Sequence, residues 1–184
     1  MAGKAALGVL AAAVAALVAV GPSAARDACG ALPEVLGESA DSAQIRCALT
    51  RAREASQTRA ITINEVKPAV EAAPFAIEFE FGSARVTPRS AELLARVAGV
   101  IAADDALRGA AYFIDGHTDA VGSDAANEEL GRARAAAAAA HLLSAVDFAL
   151  VVKVRSFGER QLLDAENPNS ARNRRVEITP VALE

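Results

Sequence analysis

Histidine, cysteine and basic charge are all scarce in this chain of 184 residues, and each shortage closes a route. Two histidines, His117 and His141, are too few for a three-histidine metal centre. Two cysteines, Cys29 and Cys47, allow one disulfide at most. Nineteen basic residues against 23 acidic ones give a net charge of −4, without the basic stripe that a nucleic-acid backbone demands of its partner. Long apolar runs are missing too. Leu7 to Val20, as a helix at about 1.5 Å per residue, reaches roughly 21 Å. A membrane-spanning helix must cross ~30 Å of hydrocarbon.

That run does have the order of an export signal: Lys4, then Leu7 to Val20, then the small residues Ser23, Ala24 and Ala25. The expectation is a signal peptide over residues 1–25. An uncleaved anchor is the alternative, because the uncharged stretch extends from Ala5 to Ala25, and only then would the chain contact a membrane. Arg26 and Asp27 precede Cys29 closely, which is unlike the apolar-then-small run before a lipidated cysteine. The remaining 159 residues make one domain plus an extension. In an oxidising compartment an even cysteine count predicts a Cys29–Cys47 disulfide, with two buried thiols as the alternative.

The chain changes character near Pro74. Residues 26–74 read as an extension and linker punctuated by Pro68 and Pro74, with one short helix from about Ser42 to Arg53 that carries Ile45 and Leu49 on one face. They are too few for the eight strands of ~9–11 residues in the smallest membrane barrel. Residues 75–184 alternate strand and helix. Ile77 to Phe81 alternates apolar and acidic residues, the period of a half-buried strand. Thr87-Pro88 opens a helix bearing Leu93, Val97, Val100 and Ile101 on one face. Ala111 to Asp115 is a second strand, and Ser123 or Asp124 caps a helix to about Ser144. Val151 to Phe157 and Val176 to Thr179 complete a set of four. The expected fold class is an α/β two-layer sandwich, a mixed four-stranded sheet with helices on one face. The run Ala135 to Ala140 buries little area, so its helix is expected close to the sheet.

"GHTD" at the end of the second strand permits a metal reading, with His117 and Asp119 as two ligands of a zinc-dependent hydrolase. His141 cannot join them, being 17 positions down the helix, roughly 25 Å of rise. A different chemistry comes from Asn127, Gly131 and Arg134, which share one face of the helix that begins beside Asp119. A fixed carboxylate and a fixed guanidinium can grip the ammonium and the carboxylate of one small zwitterion. The plain alternative is a capping aspartate and a solvated surface arginine.

The stretches "FEFGSARVTP", "IDGHTDAVGSDAANEELGRARA", "VRSFGER" and "NRRVEI" resemble, in order and spacing, the OmpA-like peptidoglycan-binding domain over Pro74 to Thr179. The resemblance implies a non-catalytic clamp, needing no cofactor or metal, for the meso-diaminopimelate of the cell-wall stem peptide. It implies that Asp119 takes the ammonium and Arg134 the carboxylate. Asn127, Thr118 and Gly122 would complete the pocket, and Asn173 and Arg174 would line or brace it. Glu80 stands where relatives carry aspartate or asparagine, and either reaches the ligand or faces solvent. Peptidoglycan is then the partner, with other envelope proteins beside it, in the periplasm or at the outer membrane of a Gram-negative-type envelope. A domain with a dead pocket, serving structure or partner binding, is a further alternative. Three departures stand out: Gly131 replaces a frequent serine, which would loosen the helix. Gln161-Leu162-Leu163 and a short segment replace a longer loop, and His117 sits at a variable position.

Overall fold

The computed structural model describes residues 29–57, 73–80 and 83–182. The signal segment 1–25, Pro68 and Phe81 lie outside the described residues. In chain order the elements are α1 (Ser42–Gln57), β1 (Ala73–Phe75), α2 (Pro88–Ala102), α3 (Asp105–Arg108), β2 (Ala110–His117), α4 (Asp124–Ser144), β3 (Val151–Gly158), a 3-10 turn (Ala171–Asn173) and β4 (Val176–Ala182). The sheet order is β1-β4-β2-β3. β2 and β3 are parallel, and β4 is antiparallel to both β1 and β2. This is the expected mixed four-stranded α/β sandwich.

Local chemistry sets the helix starts. Asp41 and Gln44 cap α1 reciprocally, the Gln44 amide N–H donating to Asp41 Oδ1 at 2.8 Å and Asp41 N–H to Gln44 Oε1 at 3.0 Å. The helix runs one turn past the expected Arg53 and buries Ile45, Ala48, Leu49 and Ala52. Thr87 caps α2 with Pro88 in its first turn, and Ser123 caps α4. α1 packs on β4, α4 packs on β2 and β3, and α2 packs against both helices. The result is one core running from Leu36 through Ile45, Leu93 and Ile101 to Ile114 and Ile178.

Two boundary expectations are corrected. The first strand is Ala73–Phe75, not Ile77 to Phe81. Alternation marks extended backbone, while hydrogen-bond partners decide whether it joins a sheet. Here the Glu78 N–H donates to Ser90 Oγ at 2.8 Å and the Glu80 N–H to Arg85 O at 2.9 Å, so this stretch pairs with the approach to α2. Pro74 is likewise no linker residue. It lies inside the edge strand β1, a position that tolerates its missing N–H. Leu36 flanks that edge, donating to Pro74 O at 2.9 Å and accepting from Ala76 N–H at 2.9 Å. The described part of the extension is thus built into the domain, and Cys29 and Cys47 are bonded, fastening its start to α1.

The alanine-rich helix does lie close to the sheet. A Cβ at Gly116 would stand 2.0 Å from Gly131 O, and one at Gly131 would stand 2.4 Å from Ser156 Oγ. Gly131 therefore does not loosen α4; it lets the helix backbone rest on β2. Gly116→Ala should cost about 1–3 kcal/mol by overpacking a contact made of backbone on both sides, read as a lower urea midpoint with an unchanged slope.

Candidate functional site

β2 ends at His117, and residues 118–122 carry the chain from the end of this interior strand into α4. Thr118 is buried, its N–H donating to Gly158 O at 2.9 Å while its Oγ1 has no hydrogen-bond partner. Asp119 Oδ2 accepts from Arg174 Nη1 at 2.8 Å. Its Oδ1 receives only a long contact from Val121 N–H at 3.4 Å, which leaves that oxygen weakly engaged.

Arg134 projects from the third turn of α4 into a cleft of about 590 Å³. One wall is Pro33, Glu34 and Val35. The floor is Ala76 to Phe79, and the far side is Arg134 with Ala171, Arg172 and Arg174. The Arg134 guanidinium lies over the Phe79 ring, 5.1 Å from its centroid. It makes no ion pair among the described residues, and its buried Nε has no hydrogen-bond partner. Burial, followed by the nearby Arg174 charge, lowers its pKa from the ordinary arginine value, and Asp119 opposes that shift. An arginine remains charged under such a shift, so a desolvated cation without an ion-pair partner faces the cleft. Asp119 does not itself line this cleft; its bond to Arg174, which does, connects it to the lining.

The other expected site residues divide into those that brace and those that stand apart. The buried Asn127 donates its amide to Glu159 Oε2, tying α4 to the end of β3, and does not line the cleft. Gly122, at φ 113°, takes a backbone conformation that favours glycine and helps turn the loop into α4. Asn173 is fully buried and braces the rim: its Nδ2 donates to Asp164 O, Asn167 O and Pro168 O at 2.9–3.2 Å, and its Oδ1 accepts from Asp164 N–H at 2.8 Å. The Ala120 N–H donates to Pro168 O at 3.1 Å, so this rim loop also steadies the Asp119 loop. Glu80 faces solvent and pairs with Arg85 at 3.5 Å, outside the cleft lining.

The metal reading does not fit the geometry. His117 is buried on the sheet face opposite the helices, stacked on Phe157 with centroids 5.3 Å apart and near Glu177 at 3.5 Å. Asp119 points instead to Arg174. Among the described residues no three His, Cys, Asp or Glu side chains are grouped to hold a metal ion.

Sequence reasoning missed Phe79 as the platform under Arg134, and it missed Glu34, Glu78 and Arg172 in the lining. Arg172 stands one residue before the Asn-Arg-Arg motif, and its place in the same turn was the available signal. Glu34 offered none.

Two outcomes are expected at the rim. Asn173→Ala should cost about 2–4 kcal/mol, given about 1 kcal/mol per lost bond and an unsatisfied carbonyl or two, measured by chemical denaturation. Asp164 is held below the ordinary aspartate value, first by the Asn167 side-chain hydrogen bond, with smaller help from the Asn167 backbone, Ser170 and Arg172, against an opposing effect of burial. A depressed carboxyl stabilises the folded rim above the unfolded pKa of about 3.9 and loses that contribution as pH falls through the lower folded value. The protection of the amides of residues 164–167, taken relative to their intrinsic exchange rates at each pH, should therefore fall in that acid window in the native protein and less so in Asp164→Asn.

A search of curated proteins gives no match. Among solved structures the chain is similar to the peptidoglycan-associated lipoprotein from Burkholderia pseudomallei, at 24% identity and TM-score 0.48, over 56% of this chain and 87% of that one. It is similar to the OmpA-like domain of FopA1 from Francisella tularensis subsp. tularensis, at 19% identity and TM-score 0.49, over 59% and 71%. It is also similar to a periplasmic domain of MotB from Helicobacter pylori, at 18% identity and TM-score 0.49, over 59% and 72%. The OmpA family model matches residues 78–175, more than half of the 184 residues and the whole span from the cleft floor at Glu78 to the braced rim: the chain belongs to the OmpA family.

Proposed function

We propose that this protein binds cell-wall peptidoglycan without catalysis, gripping the zwitterionic end of meso-diaminopimelate in its stem peptide. The observation that carries this reading is Arg134: a cation partly withdrawn from water over Phe79, with a buried Nε that lacks a partner and no ion pair among the described residues. A carboxylate arriving at the cleft restores what burial removed, and a guanidinium accepts it through two parallel N–H donors. The ligand ammonium then approaches Asp119 at the weakly engaged Oδ1, while Arg174 stays on Oδ2. Arg174 thereby keeps the Asp119 side chain oriented. The family and the neighbouring lipoprotein, whose name ties it to peptidoglycan, support the same reading.

We further propose that residues 1–25 direct export and that residues 75–184 act in the periplasm or at the outer membrane, beside other envelope proteins. Among the described residues no helix is long and apolar enough to cross a membrane. The dead-pocket reading has one observation in its favour, since Arg174 already occupies one oxygen of Asp119. That pair is half-buried, with the Arg174 side chain 45% and the Asp119 side chain 15% accessible, and it engages one carboxylate oxygen only. The weakly engaged Oδ1 is left to receive an incoming ammonium.

Sedimentation with purified peptidoglycan tests the reading. Asp119→Ala and Arg134→Ala should each weaken binding roughly ten- to hundredfold, matching about 1.5–3 kcal/mol for a charge-assisted bond. Arg134→Lys should fall between them and the wild type, because a lysine keeps the charge and loses the fork. Wild-type binding by both alanine variants, with unchanged thermal melts, would leave the pocket without a role.

A further inference from the structure

A second ion pair joins two residues of the cleft lining. Glu34, on the Pro33–Val35 wall, meets Arg172 of the 3-10 turn on the far side, and both residues line the cavity. The partners are 138 positions apart in sequence, and both side chains are about half exposed. Each is held from behind. Arg172 has Asp164 at 3.8 Å. The Glu34 arm is fastened on both sides: Leu36 bridges to β1, Arg51 Nη2 donates to Gly30 O at 2.7 Å, and Cys29 is bonded to Cys47. Breaking the Glu34–Arg172 contact therefore frees two side chains without releasing the wall that carries them.

We propose that Arg172 is a second carboxylate receptor of the cleft, and that Glu34 occupies it in the free protein as a stand-in for a ligand carboxylate. The inference rests on the diaminopimelate reading of Arg134 and Asp119 and extends it to the next anionic group along the ligand. A guanidinium that takes a carboxylate from the cleft side offers the same donors to any carboxylate arriving there. The exposed pair is weak and exchangeable, so the ligand displaces Glu34 at small cost. Glu34 lies outside the stretch matched by the family, residues 78–175, so the stand-in belongs to this chain's own amino-terminal wall.

Titration calorimetry decides it with two probes: a diaminopimelate stem peptide ending in a free carboxylate, and the same peptide amidated at that end. The wild type should bind the acid more tightly than the amide. Glu34→Gln should bind the acid about two- to fivefold more tightly than wild type does, the equivalent of an exposed pair, with the amide unchanged. Arg172→Gln should bring the acid down to the level of the amide. Equal affinity of the wild type for both peptides, or a Glu34→Gln effect of the same size on both, overturns the inference and leaves the Arg134 reading standing. Failure of the wild type to bind either peptide overturns both.

Discussion

The contact between Gly116 and Gly131 is the constraint on which the rest depends. With no side chain on either, the backbone of α4 rests on β2, and Ser156 of β3 fills the remaining space. That contact fixes where the helix leaves the sheet, and one turn further on it delivers Arg134 to the cleft while Asp119 waits in the loop before the helix. A larger residue at either position would lift the helix and move the two charges relative to each other. Catalysis and binding alike are sensitive to such displacements, because charge-assisted bonds weaken steeply away from good geometry.

The charges around the cleft follow a simple electrostatic logic. Asp119 is covered by Arg174, and Arg172 by Glu34, so these four side chains are neutralised in pairs. Arg134 is the exception among the cleft arginines. Among the described residues it is stabilised by the Phe79 ring and by the field of Asp119, and it is disfavoured by burial and by Arg174. Cation–π contact with an aromatic ring is worth about 0.5–2 kcal/mol, too little to replace the hydration of a guanidinium. The cleft therefore carries an unmet demand for an anion at one defined point. The braced rim keeps that point from collapsing, since Asn173 and Asp164 hold the turn that bears Arg172 and Arg174.

Much of this was legible in the sequence because it depends on local pattern. Thr87-Pro88 and Ser123 cap helices by chemistry confined to one turn, and the Ile45 and Leu49 stripe needs only the helical period. The loop of Asp119 and the Arg134 position were legible through the family motif they sit in. The first strand was not, because apolar-acidic alternation reports extended backbone and says nothing of which partner it bonds. The Pro33–Val35 wall was also hidden, since a contact such as Glu34 with Arg172 leaves no periodic trace in the chain. Asn127 and Asn173 were expected at the pocket through the family motif, and only coordinates separate a residue that braces a loop from one that lines the cleft.

The most direct measurement is the arginine Nε–Hε resonance of Arg134, followed in labelled protein as free meso-diaminopimelate is added. The account predicts a saturable shift of that resonance, as a carboxylate supplies the hydrogen bond its buried Nε lacks, with the shift abolished by Asp119→Ala at the same ligand concentration. An Arg134 signal that stays in place while the ligand binds elsewhere on the protein would contradict it.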